Sequence, residues 1–253
     1  MLESYLKERL QSRKILLMTH IVLGYPSFDE SYEVVKAMVE SGVDLMELQI
    51  PFSEPMADGP VILRANQEAL ARGAKVSQCL EFADRVCSEF SIPFLFMTYY
   101  NILFKYGVAS FAQAMTHSGI GGAIVPDLPP EEGKDYLEAM EHNRLSPIFI
   151  FSPSTSLERM RFLASLTKGF VYCVARTGVT GAQTSFSQDL QSYLTRCRAA
   201  TSLPLALGFG VKDRTDIDFL TGKVDIAVIG TQTIRLIQEK GVGAVGNFIA
   251  GLR

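Results

Sequence analysis

Asp44 to Pro60 reads DLMELQIPFSEPMADGP: a short apolar run, Leu45 to Ile50, that passes through Pro51 into a polar loop. The run has the continuous apolar character of a strand buried on both faces, as in a parallel sheet. One acid interrupts it. Glu47 sits inside the run, where an unpaired carboxylate is costly. A second carboxylate, Asp58, follows in Ala57-Asp58-Gly59-Pro60. Two readings fit. Glu47 can pair with an arginine or lysine across a core, as structural acids do. Alternatively the two carboxylates, one buried at a strand end and one wetter in the loop, differ in proton affinity, the split that acid/base chemistry needs.

The same strand-loop-helix unit recurs along the chain. Ile15 to Val22 reads as a strand closed by Leu23-Gly24-Tyr25-Pro26, and residues 29 to 41 carry a helical pattern through Tyr32, Val35, Met38 and Val39, stopped at Gly42. After Pro60 a helical region bears Ile62, Ala65, Ala69 and Leu70 and ends near Gly73, and another helix covers about 76–90. Strands are then expected at 93–98, 121–125, 146–150, 169–174, 204–208 and 224–229. Helices are expected at 108–118, 131–142, 156–166, 188–199, 212–220 and from 232. Eight such units in 253 residues, with no linker or shift of composition, predict one (β/α)8 TIM barrel domain spanning 1–253. An open dinucleotide-binding sheet would carry fewer strands and a GxGxxG turn, and none is present. Leu2, Tyr5, Leu6 and Leu10 recur at helical spacing, so an N-terminal helix is expected to cap the barrel.

Composition narrows the function. A net charge of -3 leaves no basic footprint for nucleic acid. No apolar run approaches the roughly 20 residues that cross a membrane. The amphipathic N-terminus lacks a signal-peptide core, which points to a cytoplasmic protein. Cys79, Cys87, Cys173 and Cys197 show no CxxC spacing and read as reduced thiols. His20, His117 and His142 lie too far apart in sequence to suggest a metal site, and the last two read as surface residues.

Barrel chemistry sits at the C-terminal ends of the strands, and the unusual polar residues fall there. Glu47 and Asp58 flank the second strand, Tyr99, Tyr100 and Asn101 follow the third, Asp127 the fourth, and Pro153, Ser154 and Thr155 the fifth. Ala175 to Gly181, small and glycine-rich, suits a closing lid. Strands seven and eight end in Gly208-Phe209-Gly210 and Ile229-Gly230-Thr231, which fit a phosphate held by backbone N–H groups at a helix start. Ile62, Met97 and Phe209 read either as an apolar pocket beside that phosphate or as ordinary core.

These motifs resemble the tryptophan synthase alpha family over essentially the whole chain. The family's ELGxPFSDPxADGP signature is matched from Glu47 to Pro60, and Arg176 to Gly181 matches its loop after strand six. Gly208 to Gly210, Gly230-Thr231, Tyr99, Asn101, Asp127 to Pro129 and Tyr172 also match. The resemblance implies retro-aldol cleavage of indole-3-glycerol phosphate to indole and glyceraldehyde 3-phosphate. Indole then passes to a beta subunit within an alpha-beta-beta-alpha heterotetramer under allosteric regulation. It implies Glu47 as general acid/base, Asp58 as partner of the indole N–H, and Tyr172 as an aid near the glycerol portion. It further implies a phosphate grip from Gly181, Gly210, Gly230 and Thr231, and an indole pocket of His20, Gln49, Ile62, Met97, Ile124 and Phe209. Arg176 and Thr180 would belong to the mobile loop. No cofactor or metal is implied in this chain, pyridoxal phosphate being expected in the beta subunit.

Four positions depart from the family pattern. Gln49 replaces a glycine and, two residues from Glu47, shares its face. His20 stands where an aromatic or apolar pocket residue is usual, Leu63 replaces glutamine, and Glu54 replaces the loop aspartate. A Gln49 amide bonded to Glu47, in a smaller and wetter pocket, predicts slow cleavage with activation of the beta subunit better preserved. The alternative is a mainly non-catalytic activator of that subunit. An isomerase or aldolase on the same barrel is disfavoured by the lack of a strand-end lysine.

Overall fold

The computed structural model describes residues 2–175, 188–208 and 210–253. Nine parallel segments form one sheet: β1 Leu16–Val22, β2 Leu45–Gln49, β3 Phe94–Met97, β4 Gly122–Ile124, β5 Ser146–Ile148, β6 Ile150–Phe151, β7 Val171–Val174, β8 Leu205–Gly208 and β9 Ile226–Ile229. Their hydrogen-bonded order is β5-β4-β3-β2-β1-β9-β8-β7-β6. The two ends of that order are separated in sequence by Phe149 alone. The Phe149 carbonyl accepts from the Tyr172 N–H at 3.1 Å, and the Pro147 carbonyl accepts from Lys168 N–H at 3.1 Å. So β5 and β6 are halves of one strand, bonded on both flanks, and the sheet closes as an eight-stranded (β/α)8 barrel.

Alternation along the strands separates two cores. On β1, Leu16 and Met18 enter the barrel interior with Leu45, Leu95, Ile124, Ile148, Phe170 and Val228. Leu17 and Ile21 instead join the layer between barrel and helices. The period of two carries the inward phase onward from Leu16 and Met18 to His20, and from Leu45 to Glu47 and Gln49. Three polar side chains therefore crown a column of apolar ones.

The opposite end is plugged. The helix Leu2–Ser12 inserts Leu2 and Leu6 into the interior cluster, each worth about 1.5–3 kcal/mol when fully buried. Gly169, at φ 90, admits it, because a Cβ there would stand 2.7 Å from Leu2 Cδ2. Beneath β2 the carboxylate of Asp44, fully buried, accepts from Arg9 Nη2 at 2.7 Å, from the Leu17 N–H at 2.9 Å and from Arg253, with Arg13 Nε 3.4 Å away. A cavity of about 350 Å³ lies at this end, lined by Arg13, Lys14, Arg214 and Arg253 among others.

Several boundaries differ from expectation. The fifth strand breaks at Phe149, the sixth starts at Val171 and the eighth at Ile226. The helix expected from 131 starts at Lys134, after the turns that follow Pro129-Pro130. Tyr100–Tyr106 forms an unforeseen short helix, and the last expected helix divides at Gly241 (φ 76) into Thr231–Lys240 and Val245–Gly251.

Candidate active site

The C-terminal end of β2 carries two carboxylates, and each already has partners. Glu47 is 3% exposed, and its Oε1 lies 3.1 Å from His20 Nδ1 and 3.4 Å from the Tyr172 hydroxyl, which donates to it. The β1–β2 register sets His20 directly beside Glu47. Asp58 Oδ2 accepts from the Gln49 amide Nε2 at 2.6 Å and from the Tyr99 hydroxyl at 3.2 Å. Tyr99 also accepts from the Ala57 N–H at 3.2 Å and stacks on Phe52 with ring centroids 5.0 Å apart. That pair fastens the Asp58 loop to β3. A further tie comes from Asn66 in the helix Pro60–Ala71, whose side-chain carbonyl accepts from the Phe52 N–H.

The amide of Gln49 is thus bonded to Asp58, not to Glu47. Its Nε2 reaches the loop instead, 2.6 Å from Asp58 Oδ2, while His20 bonds Glu47. Asp58 is the wetter of the two acids, partly exposed where Glu47 is buried, but it is not left freely ionised. Burial pushes its carboxyl above the usual range, partly offset by the charge of His20 and by the hydrogen bonds from Gln49 and Tyr99. For His20, burial opposes the charged ring. The hydrogen bond and charge of Glu47, the charge of Asp58 and the Gln49 side chain outweigh it, so the imidazole titrates above its ordinary value. Burial keeps both tyrosines protonated well beyond the usual phenol range, and they act as donors.

The remaining expected site residues divide into three groups. Met97 and Ile124 join the barrel interior under the carboxylates, whereas Ile62 packs against the outer core layer. Gly210 adopts φ 79 after β8, Gly230 precedes the helix Thr231–Lys240, and Thr231 opens it. A Cβ on Gly230 would stand 3.3 Å from His20 Cβ, so the expected phosphate end and the acid/base end of the mouth abut. Arg176, Thr180, Gly181 and Phe209 lie outside the described residues. The Tyr99 latch on Asp58 was legible only as a polar residue at a strand end. Its inward phase, two residues after Met97, was the signal available.

Residues 6–247 match the family model described as Tryptophan synthase alpha chain. Among curated relatives, the tryptophan synthase alpha chain of Desulforapulum autotrophicum is 65% identical, covering 100% of both chains. That of Syntrophotalea carbinolica is 62% identical, again over 100% of both. Among solved structures, a Mycobacterium tuberculosis tryptophan synthase superposes with a TM-score of 0.92 at 31% identity, over 99% of this chain and 96% of that one. A tryptophan synthase complex from Pyrococcus furiosus gives 0.86 at 28% identity, over 94% and 97%.

Proposed function

This chain belongs to the tryptophan synthase alpha chain family, and from that premise we propose that its barrel mouth cleaves indole-3-glycerol phosphate to indole and glyceraldehyde 3-phosphate. One observation carries the reading: two carboxylates on separate supports, Glu47 on the inward face of β2 and Asp58 in the latched loop, face one mouth. Breaking the bond between the indole ring and the glycerol chain needs proton transfer at two separated positions, which two carboxylates can serve. Glu47 moves protons at the ring carbon and the glycerol hydroxyl, its Oε2 being buried and without a partner among the described residues. Asp58 accepts from the indole N–H, and Tyr172 donates beside Glu47. Gly210, Gly230 and Thr231 offer backbone N–H groups to the phosphate, joined by Gly181.

The partner is a tryptophan synthase beta subunit, assembled alpha-beta-beta-alpha, with each subunit's activity responsive to the other's ligands. Pyridoxal phosphate belongs to that partner. Met56 in the catalytic loop is 81% exposed and Phe104 in the helix Tyr100–Tyr106 is 70% exposed, apolar area that suits such a contact. The protein works in the cytoplasm; among the described residues no helix is long and apolar enough to cross a membrane. With the Gln49 amide directed to Asp58, the route by which it would weaken Glu47 is gone, and active cleavage is the better supported reading.

The test is indole release and glyceraldehyde 3-phosphate formation by the purified chain, alone and mixed with its beta subunit. Glu47→Gln should lower turnover by ~10²-fold or more while the fold survives. Full activity in that variant refutes the assignment, and failure to co-elute with or stimulate the beta subunit refutes the partnership.

A further inference from the structure

His20 and Gln49 lie between the two carboxylates, and each has one atom unaccounted for. His20 Nδ1 is engaged with Glu47, while His20 Nε2 is buried without a hydrogen-bond partner among the described residues. Gln49 Nε2 is engaged with Asp58, while Gln49 Oε1 is likewise buried without one among the described residues. Gln49 is paired in the sheet with Val22, two residues beyond His20, so both side chains stand on the inward face of neighbouring strands. A buried N–H and a buried carbonyl left apart are each costly. A slight approach of the two would satisfy both.

We propose that His20 is a positioning residue that shares a proton with Glu47, and that Gln49 joins it to Asp58, so that the two carboxylates work as one titrating unit. The chain would run Glu47 Oε1, His20 Nδ1 and Nε2, Gln49 Oε1 and Nε2, Asp58 Oδ2. Its polarity is fixed. Gln49 directs its NH₂ at Asp58, so the atom it has left for His20 is Oε1, which can only accept and requires a proton on Nε2. With Nδ1 donating to Glu47 as well, His20 is an imidazolium. Among the described residues, the titratable groups facing it are Glu47 from β2, Asp58 from the loop, and Tyr172 from β7 through Glu47; Gly230 offers only backbone. Two carboxylates and one imidazolium share the site, and the raised titration of His20 agrees with that grouping.

The proposal rests on the cleavage reaction above and balances within it. The pair gives one proton to the ring carbon. The carbon–carbon bond breaks, returning its electrons to the ring, and the hydroxyl oxygen forms the aldehyde carbonyl. The hydroxyl proton goes back to the pair. No further reactant enters. While Glu47 faces substrate through Oε2, His20 holds Oε1 and sets the rotamer from which both transfers are made.

Two measurements test this. In the ligand-free protein, imidazole NMR should show His20 titrating at higher pH than the exposed His117 and His142, and moving down in Glu47→Gln and in Gln49→Gly. In steady state, the rate of indole release should fall on an alkaline limb set by His20. His20→Gln should lose that limb and at least ~10-fold in kcat with KM little changed. A His20 that titrates with the other two, or ignores both substitutions, overturns the proposal. So does an unaltered pH profile in His20→Gln. Should the wild type not cleave the substrate at all, the functional reading falls, while the NMR arm still upholds or refutes the linkage.

Discussion

Asp58 shows at the scale of one residue how the site trades stability for charge. Its carboxyl titrates above the ordinary aspartate value because the loop buries it, so folding favours its protonated form. The sign follows by linkage. A raised folded value contributes stability at low pH that is lost as the pH rises through it. At neutral pH the ionised group is a liability to the fold. Asp58→Asn should therefore raise the melting temperature at neutral pH, with the gain shrinking toward acid pH, where both forms are uncharged. Indole release should fall at every pH. Thermal melts across a pH series check it; a variant less stable than wild type at neutral pH would contradict the burial argument. Of this site, Glu47 and Asp58 were legible in sequence, because an acid inside an apolar strand is out of place. Their partners were not. In sequence Gln49 lies two residues from Glu47 and nine from Asp58, which favours Glu47 as its partner, and only the loop's return over β2, fastened by Tyr99, brings Asp58 to its amide.

Among the elements, the strands were read well and their breaks poorly. Apolar runs announce parallel strands, but nothing in Ser146 to Phe151 marks Phe149 as the residue that leaves the ladder. Closure of the barrel decides that, and closure is a property of strands far apart in sequence. Tyr100–Tyr106 was missed for a related reason: seven residues are too few for a period to show. At the other side of the mouth, the turn from β8 depends on Gly210, whose φ of 79 suits glycine, while a Cβ there would meet nothing within 4 Å. The cost of Gly210→Val is thus backbone strain rather than a clash, on the order of 1–2 kcal/mol. The same strain displaces the N–H groups proposed to grip phosphate. Calorimetric titration with glycerol 3-phosphate should show affinity reduced by ~10-fold or more beside a modest drop in melting temperature. Unchanged affinity would remove Gly210 from the grip.

For the whole molecule, Asp44 is the counterpart of Glu47: a buried acid at the start of β2 whose role is structural. Three arginines and a backbone N–H surround it, and the arginines are 23–33% exposed where the carboxylate is fully enclosed. Removing one side of a buried ion pair typically costs about 3–5 kcal/mol. Asp44→Ala should destabilise by that order in denaturant melts, with the affinity for glycerol 3-phosphate kept in whatever fraction stays folded. A loss below 1 kcal/mol would mean that water already serves the arginines. The structural and chemical roles open to an acid are thus both filled within one short stretch, Asp44 just before β2 and Glu47 inside it.

The Arg253 contact spans 209 residues of chain. On a ribosome adding about 5–20 residues per second, Asp44 is joined to the chain roughly 10–40 s before that guanidinium exists. Arg9 and Arg13 are its only charged company from this cluster in the interval. The floor of the barrel therefore records the order of synthesis: β1 and β2 can pair early, but the cation cluster beneath them is completed only when Arg253 arrives.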